Sequence, residues 1–259
     1  MQNISDQPSD LHTEDACLTS HVLDTSTGRP AGGMELKIYR IQGDKLDFLG
    51  EFITTAEGRL PRPLLTSSNA IPGRYRIDFK TRNDFLGDVP VIFDIGDTLA
   101  HHHVPLIVSP FGFSTYRGAP PHRPASGGSP SAALPGDIPT GQAPAPGSVG
   151  PGITVHVIDI ARGIGAGGLP VELIVPDGNT VSKLTTTEEG RTPEWLAPAG
   201  SLVAGTHELI FDLSSFYEAA GLKPFFPMVR VKFYINDPTQ HFHIPLLVTP
   251  WGYSCYRGS

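Results

Sequence analysis

The chain has 259 residues, a net charge of -7, 26 Pro, 29 Gly and two cysteines, which is enough length for two domains that each bury a core. An acidic balance without a basic cluster argues against nucleic acid as a partner, and no apolar run is long enough to cross a bilayer. Cys17 and Cys255 are too few for a disulfide framework.

In chain order, residues 1–17 form a polar, acidic segment that is expected to be disordered. It lacks the basic and apolar regions of a secretion signal, so a reduced, cytoplasmic setting is expected. LTSHVLDTSTGRPAGG at 18–33 opens on a strand-like run carrying His21. TTAEGRLP at 54–61 places Arg59 just after a Glu-Gly turn. In YRIDFK at 75–80, Tyr75, Ile77 and Phe79 alternate with Arg76, Asp78 and Lys80, the period of a half-buried strand. HHHVPLIVSPFGFSTYRGA follows at 101–119. Residues 119–152 contain 26 Pro, Ala, Gly or Ser among 34, a composition that cannot bury enough apolar surface to offset its ordering entropy. The flexible linker is accordingly placed at 120–152.

Beyond it the same blocks return in the same order. ITVHVIDIARGIGAGG at 153–168 matches the opening block at 8 of 16 positions, TTEEGRTP at 186–193 matches at 6 of 8, and HFHIPLLVTPWGYSCYRGS at 241–259 matches at 11 of 19. The chain is therefore a duplication, with one domain at 18–119 and another at 153–259. VRVKFYI at 229–235 again alternates, and turn residues punctuate short strands throughout. The expected class is all-β, two β-sandwiches with at most one short helix each. The second copy has room for that helix around SSFYEAAGL, with Ser214 or Ser215 as N-cap and Gly221 as its end. The first copy is shorter there.

Three polar features occur in both copies: His21 and His156 on the opening strand, Arg59 and Arg191 after the Glu-Gly turn, and the pairs His101/His103 and His241/His243. Residues two apart on a strand share a face, so each pair projects both imidazoles one way, and His102 the other. Converging imidazoles are also zinc chemistry, but no Asp or Glu adjoins them as an outer partner, and no metal or cofactor is expected.

The His-Val-Ile-Asp block, the Glu-Gly-Arg turn, His-Phe-His-Ile-Pro-Leu-Leu and the Tyr-Arg-Gly-Ser tail together resemble the transthyretin-related proteins, specifically their 5-hydroxyisourate hydrolase branch. The resemblance implies two transthyretin-like sandwiches, sites in a channel between paired dimers, and metal-free hydrolysis of a purine-derived small molecule. It implies catalytic roles for His156, Arg191, His243 and Ser259, and for His21, Arg59 and His103. His241, Tyr256, Arg257, His101, Tyr116 and Arg117 would contact substrate. The first copy has Ala119 where the second has Ser259, so its site is expected to be weakened, with the second domain catalysing. Two chains would supply the four sandwiches of a tetramer, hence a homodimer. The competing readings are an enzyme for another cyclic amide and a non-catalytic small-ligand carrier. Cys255 is expected to be a packed thiol.

Overall fold

The computed structural model describes residues 15–81, 85–118, 151–198 and 200–258. Ser259, Ala119 and most of the expected N-terminal segment and linker lie outside these residues.

The first half contributes β1 (Ala16–Thr19), β2 (Val22–Asp24), β3 (Arg29–Pro30), β4 (Glu35–Gln42), β5 (Lys45–Ile53), β6 (Leu65–Thr66), β7 (Gly73–Phe79), β8 (Val89–Ile95), β9 (His102–His103), β10 (Leu106–Ser109) and β11 (Gly112–Tyr116). The second contributes β12 (Gly152–Asp159), β13 (Ile164–Gly165), β14 (Pro170–Ile174), β15 (Thr180–Thr185), β16 (Gly205–Asp212), α1 (Leu213–Glu218), β17 (Met228–Ile235), β18 (His241–Thr249) and β19 (Gly252–Tyr256).

Two expected boundaries move inward. Cys17, expected in a disordered segment, is 1% exposed within β1, because its thiol packs into the core. Gly152, assigned to the linker, begins β12. The Trp195 ring occupies the space a side chain there would need, 2.3 Å from the Cβ position.

The alternation expected at 75–80 and 229–235 appears as β7 and β17, whose apolar residues point inward. The helix forms in the second half, but its N-cap is Asp212 rather than a serine. The Asp212 carboxylate accepts from the backbone N–H of Ser215 at 3.1 Å and from its hydroxyl at 2.6 Å. A carboxylate satisfies an orphan N–H of the first turn at least as well as a hydroxyl does.

The two halves join into two shared eight-stranded sheets. One, the site sheet, runs β13-β12-β18-β19-β11-β10-β2-β3, and the other runs β15-β14-β16-β17-β8-β7-β4-β5. They close over one apolar core, with Phe233 of β17 and Phe242 of β18 touching across it at 6.4 Å between ring centroids. The halves meet edge to edge: Ser114 lies opposite Ser254, Gly112 opposite Tyr256 and Tyr116 opposite Gly252. Each contact recurs with the halves exchanged. The Ser114 hydroxyl donates to the Tyr253 carbonyl and that of Ser254 to the Phe113 carbonyl, both at 3.3 Å. Arg117 N–H donates to the Trp251 carbonyl at 2.7 Å, and Arg257 N–H to that of Phe111 at 2.8 Å. Such reciprocity is the mark of a two-fold dimer interface, here formed within one chain. The second sheet is joined where Val91 of β8 faces Val229 of β17.

Candidate active site

The site sheet buries one face and presents the other. In β12, Ile153, Val155 and Val157 are buried, so Thr154, His156 and Ile158 stand outward. In β18, Phe242, Ile244 and Leu246 are buried, so His241 and His243 also stand outward. The strands pair in parallel with Thr154 opposite His243 and His156 opposite Pro245, which brings His156 diagonally beside His243. Arg191 is added by the Glu-Gly turn, bridged to His156. Gly258 closes the site, its N–H donating to the His243 carbonyl at 2.8 Å. That bond holds Gly258 against His243.

Thr154, not among the residues expected at the site, organises the cluster. Its Oγ1 lies 2.8 Å from Nε2 of His241 and 2.9 Å from Nδ1 of His243. In the first half, Thr19 does the same at 2.8 Å to His101 Nε2 and 2.8 Å to His103 Nδ1. The signal was legible: a threonine stands two residues before the opening histidine in both copies, on the same strand face.

The halves differ at that opening histidine. Nδ1 of His21 is hydrogen bonded to Nε2 of His103 at 2.7 Å, with the rings stacked 4.9 Å apart. His156 instead bonds through Nε2 to the Glu189 carbonyl at 3.1 Å. A carbonyl only accepts, so His156 carries its proton on Nε2 and leaves a lone pair on Nδ1. Strand β12 runs unbroken through His156, whereas the equivalent strand of the first half is interrupted between β1 and β2 at Ser20 and His21.

Burial is the chief cause that lowers every imidazole of the two clusters. His103 falls to about 4, with His21, His101 and Arg59 adding to the effect. His243 falls to about 4, helped by Arg191, His241 and His156. His21 and His156 are lowered by burial and then by Arg59 and Arg191, respectively, and His101 and His241 are also lowered by burial. All six are neutral near pH 7, the state in which imidazole is both base and hydrogen-bond donor. Among the described residues no carboxylate pairs with Arg59 or Arg191. Nor do three or more His, Cys, Asp or Glu side chains converge in a metal-binding group there.

The sequence profile of the HIUase/Transthyretin family matches residues 18–118 and 153–258. The chain belongs to this family. The 5-hydroxyisourate hydrolase of Deinococcus radiodurans is 43% identical over 115 residues, covering 42% of this chain and 97% of that protein. The 5-hydroxyisourate hydrolase of Mus musculus is 39% identical over 112 residues, covering 41% of this chain and 94% of that protein. The solved structure of Klebsiella pneumoniae 5-hydroxyisourate hydrolase is 34% identical, covers 41% of this chain and 92% of that one, and has a TM-score of 0.37. Such a relative has the length of one half of this chain. With curated relatives named hydrolases at 34% to 43% identity, this family member is a hydrolase.

Two of the expected contact residues pack on aromatic rings. The Arg117 guanidinium sits over the rings of Phe225 and Trp251, at 5.3 and 5.4 Å. Arg257 sits over Phe242 and Phe85, at 4.9 and 5.4 Å, and donates to Gln240 Oε1 at 2.9 Å. Both arginines therefore clamp the junction between halves, where an aromatic face holds the cation. Tyr116 and Tyr256, 41% and 44% exposed, stand outward at the centre of the site sheet. His102 points inward as expected, 3% exposed and stacked on Phe225 of the other half at 6.1 Å. Cys255 is 2% exposed and burial pushes its thiol up, as expected of a packed thiol.

The neutral clusters have a consequence for stability. Unfolded histidines take up protons below pH 6.5, but His103 and His243 resist until about pH 4. Between those values the unfolded chain binds more protons, so stability falls as pH falls. The melting temperature is expected to drop from about pH 6.5 to about pH 4.5, and to drop less in a His103→Asn/His243→Asn double variant. Equal slopes for the two proteins would refute this origin.

Proposed function

We propose that this chain hydrolyses 5-hydroxyisourate to 2-oxo-4-hydroxy-4-carboxy-5-ureidoimidazoline, chiefly at the second-half site. One observation carries the reading: His243 and His156 share an outward face, two neutral imidazoles beside the Arg191 guanidinium, which has no carboxylate partner among the described residues. The names of the relatives support the substrate.

In this reading a water donates to Nε2 of His243 and loses its proton there as its oxygen bonds to the lactam carbonyl carbon. The Nδ1 lone pair of His156 holds the same water. Arg191 steadies the oxyanion that forms. Collapse of the tetrahedral intermediate breaks the C–N bond, the proton on His243 passes to the departing nitrogen, and the carboxylic acid that is left gives its proton to solvent to become a carboxylate. Ser259, beyond the described residues, fixes the water or a ring edge, and His241 supports His243. In the first half, Nδ1 of His21 already bonds Nε2 of His103, which leaves neither nitrogen for a water, and position 119 offers no hydroxyl. The test is the ultraviolet decay of freshly made 5-hydroxyisourate in the presence of the full chain. Decay no faster than the spontaneous reaction would overturn the substrate.

We also propose that two chains pair over the outward faces of their site sheets. Tyr116 and Tyr256 lie exposed there beside the outward Ile107 and Leu247, and a second copy would cover them and wall the sites into a channel. Light scattering is expected to give twice the 27.7 kDa chain mass, and a single-chain mass would overturn the pairing.

A further inference from the structure

A threonine hydroxyl holds one proton, so it donates to one neighbour and accepts from the other. Thr154 Oγ1 touches Nε2 of His241 and Nδ1 of His243, and a neutral imidazole likewise has one donor and one acceptor nitrogen. Only two arrangements satisfy all three groups. In one, Thr154 donates to His243, whose own proton then sits on Nε2. In the other, Thr154 donates to His241, His243 donates from Nδ1, and Nε2 of His243 carries a lone pair. The first half repeats the geometry and lengthens it into His101–Thr19–His103–His21, each link 2.7 to 2.8 Å. Such a chain is oriented wholly one way or wholly the other.

We propose that Thr154 is a positioning residue that restricts His243 to these two tautomers and passes a proton between His243 and His241. The proposal rests on the reading of His243 as the base. Starting from the second arrangement, a proton taken from water onto Nε2 would leave His243 cationic. The proton on Nδ1 then moves to Thr154 Oγ1 as the threonine's own proton moves to Nε2 of His241. His243 is neutral again with its proton on Nε2, facing the departing nitrogen, and the positive charge rests on His241. The charge is better placed there. His243 is surrounded by Arg191, His241 and His156 in addition to its burial, whereas burial alone lowers His241. When Nε2 protonates the leaving nitrogen, the reverse shift restores the starting state, so no proton is gained or lost over the cycle. The scheme also accounts for the occurrence of the histidines as a His-X-His pair, since one hydroxyl opposite the second imidazole reaches both rings.

Thr154→Val keeps the shape of the side chain and removes the hydroxyl, and Thr154→Ser keeps the hydroxyl. In the full chain, Val is expected to lower kcat about tenfold or more at unchanged KM, and Ser to stay within about threefold, as for loss and retention of a hydrogen bond to an active-site base. Long-range 1H–15N spectra of the resting protein are expected to show His243 held to the same tautomer pattern in the wild type and in Ser, and altered in Val. Wild-type kcat in Thr154→Val, or a lost kcat with the His243 pattern unaltered, would overturn the proposal. Absence of turnover in the wild type would instead sink the hydrolase reading, with the spectra still deciding whether Thr154 sets the state of His243. Should Val fail to fold, Thr154→Ala judged against Ser gives the same comparison.

Discussion

His243→Ala is expected to lower turnover of 5-hydroxyisourate by about 10²–10⁴-fold, the usual worth of general acid–base assistance. His103→Ala, the equivalent change in the first half, is expected to leave the rate within about twofold, because an interaction absent from the transition state costs little there when removed. The asymmetry comes from one torsional choice. His21 turns toward His103 and closes that pair at 2.7 Å, whereas His156 turns to the Glu189 carbonyl. Both proteins should keep their fold, since His243 stands on the outward face of the site sheet, His103 stands on β9 in a separate three-stranded sheet with β1 and β6, and neither is a core residue. Rates measured at equal protein concentration with matched melting curves decide the matter. Equal losses in the two variants, or the larger loss in His103→Ala, would overturn the division of labour between the halves.

Gly190→Ala is expected to be the most damaging single methyl in the second half. Gly190 has φ +77, and an added Cβ would lie 1.9 Å from the Val157 carbonyl oxygen. A left-handed conformation costs a residue with a Cβ about 1–2 kcal/mol, and overpacking adds about 1–3 kcal/mol, so a total of about 2–5 kcal/mol follows. Gly178→Ala is the comparison: its φ is +86 but nothing lies within 4 Å of its Cβ position, so only the conformational cost of about 1–2 kcal/mol remains. Gly190→Ala should also impair the site, because the turn it occupies carries both Glu189, which orients His156, and Arg191. Gly58 has the same φ sign, with a Cβ position 2.4 Å from the Val22 carbonyl oxygen, so the tight turn under the opening strand is built alike in both halves. Thermal melts and turnover of the two glycine variants test this. A Gly190→Ala protein as stable and as active as Gly178→Ala would show that the turn yields without moving the site.

Much of the site could be read from the chain because the duplication supplies its own comparison. His21 and His156, Arg59 and Arg191, and the two His-X-His pairs sit at matching places, and strand periodicity puts each pair on one face. Thr19 and Thr154 carry the same signal, a weaker one because threonine is common in strands for its branched shape. Arg117 and Arg257 show what the sequence leaves out: the fold sets Arg117 over Phe225 and Trp251 of the other half, and Arg257 over Phe242 of its own half and Phe85 of the other. The helix cap is Asp212 and not Ser214 or Ser215, because only the backbone path decides which oxygen meets the free N–H groups.

By itself the sequence determined the strands, their inward faces, the duplication and the residues of the two clusters, because alternation and repetition are properties of local order along the chain. The tertiary structure alone decided how the halves meet. β11 pairs with β19, and β8 with β17, through backbone groups that carry no residue signature and lie more than a hundred residues apart. It alone also decided the ionisation of the histidines, since depth of burial and nearness of Arg191 are set by packing. The difference between the two sites follows for the same reason: His21 and His156 have nearly the same neighbours in sequence, and only the surrounding fold turns one ring to an imidazole and the other to a carbonyl.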